Sequence, residues 1–243
     1  MLIKSQVKYI QSLSHKKLRD EEGVFIAEGP KLINDLLSAD NVPLQQLFAV
    51  KEWIAVQEAF LSQPVTEIIQ AELERISGLQ TPNQVLGIFK KPAFTIDPSF
   101  QNRLTLMLDT IQDPGNLGTI IRCADWFGIA RIICSPDCAD AFNSKVVQAS
   151  MGSIARVQVM YESLPDWLEK QPGLPAFSAV LGGTDLRQLP PVKEGILIIG
   201  NESKGISEPV LAMSRHRITI PHKGRAESLN AAVATGIILS HLV

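Results

Sequence analysis

Apolar residues near the start of the chain recur every three or four places. Ile3, Val7, Ile10 and Leu13 share one helical face, while Lys4, Lys8, Gln11 and His15 fall opposite it. The spacing predicts an amphipathic helix with a basic outer surface. After Gly23 the pattern changes to short apolar runs. Residues 24–27 read as a strand, and Gly29-Pro30 opens a helix carrying Leu32, Ile33, Leu36 and Leu37, with the proline suited to a first helical turn. Further strands at 47–50, 65–69 and 85–89 alternate with helices at 53–61 and 71–79. Such alternation predicts a small α/β domain over residues 1–92.

Lys90-Lys-Pro92-Ala-Phe-Thr-Ile-Asp-Pro98 carries two prolines and little periodicity, so residues 93–102 are expected to be a linker. Beyond it the strands become almost purely apolar, at 104–108, 129–134, 177–181, 196–199 and 217–220. Continuous apolar strands separated by helices predict a parallel sheet covered on both faces, in a second domain over 103–243. Pattern alone would make this an ordinary doubly wound sheet, because knotted chains are rare.

A chain of 243 residues buries enough surface to fold without disulfides, whether as one large domain or two modest ones. Cys123, Cys134 and Cys138 form no CxxC pair and have no histidines at zinc-finger spacing, which argues for core thiols and against a metal site. No apolar run approaches the length of a membrane span, and no apolar core follows a basic start, so the expectation is a cytoplasmic protein. The net charge of −2 argues against indiscriminate coating of nucleic acid but leaves room for a local basic face. Lys4, Lys8, Lys16, Lys17 and Arg19 all precede the first acidic residue, Asp20. They are either a solvated helix face or phosphate contacts for an RNA.

Three strand-loop-helix junctions are where an α/β protein would hold ligands. Leu104-Thr-Leu-Met-Leu-Asp109 leads into Asp113-Pro-Gly-Asn116-Leu-Gly118, and Ile196-Leu-Ile-Ile-Gly200 into Asn201-Glu202-Ser-Lys-Gly205. Ile218-Thr-Ile-Pro221 leads through Gly224 to Ser228-Leu229-Asn230 and an Ala-rich helix. Asn116 and Ser228 each read as a possible helix N-cap. Gly118 inside a first turn calls for a close backbone approach, and Arg122 lies on the same side of that helix.

Asn116-x-Gly118-x-x-x-Arg122, Gly200-Asn201-Glu202-x-x-Gly205 and Pro221-x-x-Gly224-x-x-x-Ser228-Leu229-Asn230, in that order, resemble the three motifs of the SpoU (TrmH-type) RNA 2'-O-ribose methyltransferases of the SPOUT superfamily. The first 92 residues resemble the substrate-binding domain often attached to these enzymes. The resemblance implies a C-terminal α/β knot, a parallel sheet with a deep trefoil knot near residues 200–243, and a smaller L30e-like N-terminal domain. It implies S-adenosylmethionine as cofactor, held at Leu181, Gly182, Gly200, Ile220 and Leu229, with no metal. Arg122, Asn116, Glu202, Ser228 and Asn230 would form the catalytic set, with Arg122 beside the target ribose either as base or as electrostatic stabiliser. Lys204 could approach RNA, and His222 takes no role. Many relatives have serine where this chain has Ala232, so no hydroxyl contact is expected there.

The implied partners are structured RNA, ribosomal before transfer RNA, and a second copy of the chain, with Ile237, Ile238, Leu239, Leu242 and Val243 as interface material. A transfer-RNA methyltransferase and a non-catalytic RNA-binding protein on the same fold remain alternatives. A dinucleotide-binding dehydrogenase is excluded by the lack of a G-x-G-x-x-G turn after an early strand.

Overall fold

The computed structural model describes residues 2–57, 65–95 and 100–243. The end of the helix expected at 53–61 and the middle of the expected linker lie outside the described residues. The chain divides into two compact units, Met1–Thr95 with Phe142–Ala155, and Ile96–Ala141 with Arg156–Val243.

The first unit carries α1 (Lys4–Ser12), α2 (Lys16–Glu22), β1 (Val24–Glu28), α3 (Pro30–Leu37), β2 (Leu44–Ala49), α4 (Lys51–Ala55), β3 (Val65–Glu67), α5 (Gln70–Ile76) and β4 (Val85–Lys90). The sheet order is β1-β4-β2-β3, with β4 antiparallel to both neighbours and β3 parallel to β2. Phe25, Phe48 and Phe89 are fully buried in it. The single opening helix is in fact two. From within α2 the buried Arg19 reaches back to the turn between them, its Nη1 donating to the carbonyls of Leu13 at 2.8 Å and Ser14 at 2.7 Å. At 3% exposure Arg19 is withdrawn from the basic face, which corrects the expectation that it meets phosphate. Gly23, at φ +65°, ends α2 in the left-handed conformation that favours glycine.

The segment Phe142–Ala155, placed by sequence in the second domain, belongs to the first unit. It holds α7 (Ser144–Ser150), which buries Val146 and Val147. The Phe142 ring lies 5.3 Å from that of Phe25.

The second unit is a six-stranded sheet in the order β10-β8-β9-β5-β6-β7, every neighbouring pair parallel. Its strands are β5 (Leu104–Asp109), β6 (Arg131–Cys134), β7 (Gln158–Tyr161), β8 (Ala176–Asp185), β9 (Gly195–Gly200) and β10 (His216–Thr219), with helices α6 (Pro114–Trp126), α8 (Leu164–Glu169), α9 (Glu208–Met213) and α10 (Ala231–Leu242). The apolar strands β5 and β9 pair at the centre and are almost wholly buried, as their composition requires. Sequence missed β7, an edge strand whose residues are half-buried or exposed and so lack a continuous apolar run.

On one face Met107, Ile133, Ile196 and Ile198 pack with Leu164, Trp167 and Val210. α10 packs against α6, and a Cβ at Gly236 would make an ordinary van der Waals contact with Cys123 Sγ at 3.7 Å. Ile238, Leu239 and Leu242 are buried in the fold, which removes them from the expected interface material. Among the described residues no helix is long and apolar enough to cross a membrane.

Candidate functional site

The three motif loops follow the carboxyl ends of β5, β9 and β10, where ligands gather in open parallel sheets. Asp113 caps α6, its Oδ1 accepting from the Asn116 backbone N–H at 2.8 Å. Asn116 is therefore not the cap, and its side chain is free for another task. The same correction holds at α10, where Asn230 and not Ser228 is the N-cap, its Oδ1 accepting from Ala232 N at 3.0 Å and Val233 N at 3.2 Å.

What the cap leaves over joins the motifs. Asn230 Nδ2 donates to Asn116 Oδ1 at 2.7 Å, and Asn116 Nδ2 donates to Glu202 Oε1. The direction of this chain follows from the cap. Backbone N–H groups can only donate, so the Asn230 oxygen faces the cap and its Nδ2 faces Asn116 Oδ1, which leaves Asn116 Nδ2 for Glu202.

Asn201 is a residue the sequence reading did not place in the site. Its Oδ1 accepts from Ser203 N at 2.9 Å and Lys204 N at 3.1 Å, closing a tight turn, while its backbone pairs with Gly205, at φ +71°. Its Nδ2 donates to the Thr110 carbonyl at 2.9 Å. The preference of Asn for such turns was a usable signal in the sequence. Gly200 admits no side chain, since a Cβ would lie 2.4 Å from the backbone carbon of Gly205.

Beside these loops lies a cavity of about 530 Å³ lined by segments of β8, the β9 loop, the end of β10 and the loop entering α10. The register of the β8–β10 pair is irregular beside it: β10 pairs with Ser178 at Arg217 but with Thr184 at Ile218. The intervening stretch of β8 supplies Ala179, Val180 and Leu181 to the wall. The cavity gathers Leu181, Gly200, Glu202, Ile220, Ser228 and Leu229 from the expected set. Gly182 (φ +76°), Asn116, Asn230 and Arg122 are outside its lining. Leu181 is 73% exposed and Leu229 45%, and both border this cavity. Apolar walls, the exposed loop backbone over 221–230 and the carboxylates of Glu202 and Glu227 fit a nucleoside bearing a positively charged sulfonium tail, and the volume falls within the roughly 300–1,000 Å³ of small-molecule sites.

Arg122 is exposed on α6, beyond the hydrogen-bonded chain. Lys204 is exposed at the cavity, as is His222. Lys4 and Lys8 are exposed on α1, whereas Lys16 pairs with Asp20 at 2.9 Å and Lys17 with Glu21 at 3.9 Å.

The family model for the SpoU rRNA methylases matches residues 103–240, and that for an MRM3-like substrate-binding domain matches residues 4–87. The chain is 30% identical to the 23S rRNA (guanosine(2553)-2'-O)-methyltransferase RlmP of Bacillus subtilis, over 98% of this chain and 95% of the relative. A solved TrmH-family structure from Porphyromonas gingivalis is 38% identical at a TM-score of 0.86, covering 100% of this chain and 98% of that one. An AdoMet-bound rRNA methyltransferase from Sinorhizobium meliloti is 32% identical at a TM-score of 0.85, covering 100% and 95%.

Proposed function

The chain belongs to the SpoU rRNA methylase family, and on that premise we propose that it methylates a ribose 2'-hydroxyl of ribosomal RNA. The observation that carries this reading is the Glu202–Asn116–Asn230 chain, which binds one residue from each motif into a single network beside the cavity. S-adenosylmethionine, when bound, supplies a methyl group on a sulfonium, an electrophile that needs alignment with the attacking oxygen. Leu181, Gly200, Ile220 and Leu229 would hold it, with Gly182, at φ +76° within β8, beside Leu181.

Arg122 takes the RNA side. A guanidinium keeps its proton, so its role is to bind the phosphate next to the target ribose and stabilise the charge that develops on the 2'-oxygen. Asn116, Glu202 and Asn230 fix the loops, and the exposed Ser228 stands on the loop bordering the cavity. Residues 1–92 select the RNA, with Lys4, Lys8, Lys16 and Lys17 toward phosphate.

The same reading makes the protein a cytoplasmic homodimer with a trefoil-knotted second domain. Of the expected interface material Ile237 and Val243 stay exposed, while Ile238, Leu239 and Leu242 are buried; the exposed Trp126 on α6 and Val233 on α10 join them as interface candidates.

The test is incubation with methyl-labelled S-adenosylmethionine and either ribosomal or transfer RNA, followed by mapping of alkali-resistant 2'-O-methyl positions. A single labelled ribosomal nucleotide is expected. Label in transfer RNA alone would move the substrate class, and cofactor binding without label in any RNA would favour a non-catalytic binding protein.

A further inference from the structure

Thr110 has φ +60°, a left-handed conformation that a β-branched residue rarely adopts. It directly follows the buried Asp109 at the end of β5 and stands six residues before Asn116. Every polar group it has is engaged. Its N–H donates to Ser135 Oγ at 2.9 Å, its Oγ1 to Asp109 Oδ1 at 3.1 Å, and its carbonyl accepts from Asn201 Nδ2 at 2.9 Å. A strained residue persists when its surroundings over-determine it, and such residues cluster at functional sites.

The Asn201 bond is a second tie, beside that of Asn116 with Glu202, between the loop that carries Asn116 and the loop that carries Glu202, and Asn201 is the chain neighbour of Glu202. Asp109 holds the two strand ends together from the other side, Oδ2 accepting from Ser207 N at 2.7 Å. We infer that Asn201 is a positioning residue, which through the strained Thr110 carbonyl sets the separation at which Asn116 and Glu202 meet. The inference rests on the methyltransferase reading for its effect on rate, but its structural core does not. Misplacement of a group by about 1 Å can lower a rate on the order of 10²-fold.

Asn201→Ser is the test. Its hydroxyl can still accept from the N–H groups of Ser203 and Lys204, but it is too short to reach Thr110. Asn201→Asp keeps the turn acceptor at full length, removes the donor, and serves if the serine variant does not fold. Two readouts are taken on the full chain. In the first, the side-chain amide resonance of Asn116, assigned by its loss in Asn116→Asp, should shift and lose protection from hydrogen exchange in Asn201→Ser. In the second, turnover on RNA at saturating S-adenosylmethionine should fall about 10- to 100-fold. An Asn116 amide unchanged from wild type overturns the inference, as does wild-type turnover. Should the wild-type protein methylate no RNA, the enzyme reading fails alone and the amide resonance still decides this one.

Discussion

Asn116 and Asn230 are 114 residues apart in the chain and share a hydrogen bond of 2.7 Å, Asn230 Nδ2 donating to Asn116 Oδ1. Asn230 thereby holds two functions in one side chain: its oxygen caps α10 and its amide nitrogen reaches the first motif. The two functions separate by substitution. Asn230→Asp retains the cap oxygen, and its negative charge suits a helix N-terminus. It loses the donor to Asn116. Denaturation should change by under about 1 kcal/mol while methyl transfer falls on the order of 10²-fold; Asn230→Ala should lose both, with about 1 kcal/mol of stability gone. Equal activity in Asn230→Asp and wild type would show that the Asn116 bond has no part in turnover.

Gly200 closes β9 against the turn that Asn201 organises. A methyl group there meets Gly205 and Ile206 backbone at 2.4–2.5 Å, and backbone cannot move aside as a flexible side chain would. Gly200→Ala should therefore displace the cavity wall and weaken S-adenosylmethionine binding by at least about tenfold, equivalent to roughly 1.4 kcal/mol. Calorimetric titration measures this, and unaltered affinity would place the cofactor away from this loop.

The motif residues were legible in sequence because chemistry-bearing types stood at fixed spacings after apolar strands, but which of them caps which helix was not. Asp113 and Asn116, like Ser228 and Asn230, are cap-competent residues within three positions of each other, and only the backbone geometry selects between them. Arg19 looked like a surface cation because its burial depends on a chain turn between α1 and α2 that no periodicity records. The Thr110–Asn201 bond spans 91 residues and involves a main-chain carbonyl, so no side-chain pattern announces it. α7 shows the same limit at domain scale: its apolar Val146 and Val147 indicate burial, but not that the burial is in the first unit.

Arg122→Ala should leave S-adenosylmethionine affinity nearly unchanged, since Arg122 is outside the cavity lining. Removing a preorganised cation from the oxygen that gains charge should lower the rate on the order of 10² to 10³. Arg122→Lys should not restore it fully, because an ammonium cannot offer the bidentate guanidinium fork to a phosphate. Single-turnover rates at saturating cofactor separate these outcomes; wild-type turnover in Arg122→Ala removes the residue from the mechanism.

The exposed Val233 and Ile237 lie one turn apart on α10 and Trp126 ends α6. Light scattering at micromolar concentration should give twice 26.6 kDa. A single Ile237→Glu substitution should shift the mass toward the monomer, since a symmetric interface meets the charge twice. A monomer for the unsubstituted chain contradicts the homodimer.

The basic face divides by its neighbours. Lys4 and Lys8 are exposed on α1, while Lys16 and Lys17 face Asp20 and Glu21 one helical turn on. A lysine already near a carboxylate releases less from the counterion atmosphere when it meets phosphate, so the pairs should contribute unequally. Replacing Lys4 and Lys8 by Gln should reduce the salt slope of RNA binding by about 0.7 to 0.9 for each lost contact, and replacing Lys16 and Lys17 should reduce it less. Arg19→Gln should behave differently again. It leaves the Leu13 and Ser14 carbonyls short of a donor, which costs about 1–3 kcal/mol of stability, but it should leave the salt slope of the folded protein alone. Filter binding across a salt series, with denaturation of each variant alongside, measures both quantities. A slope that falls with Arg19→Gln but not with Lys4 and Lys8 would move the RNA path off the outer face of α1.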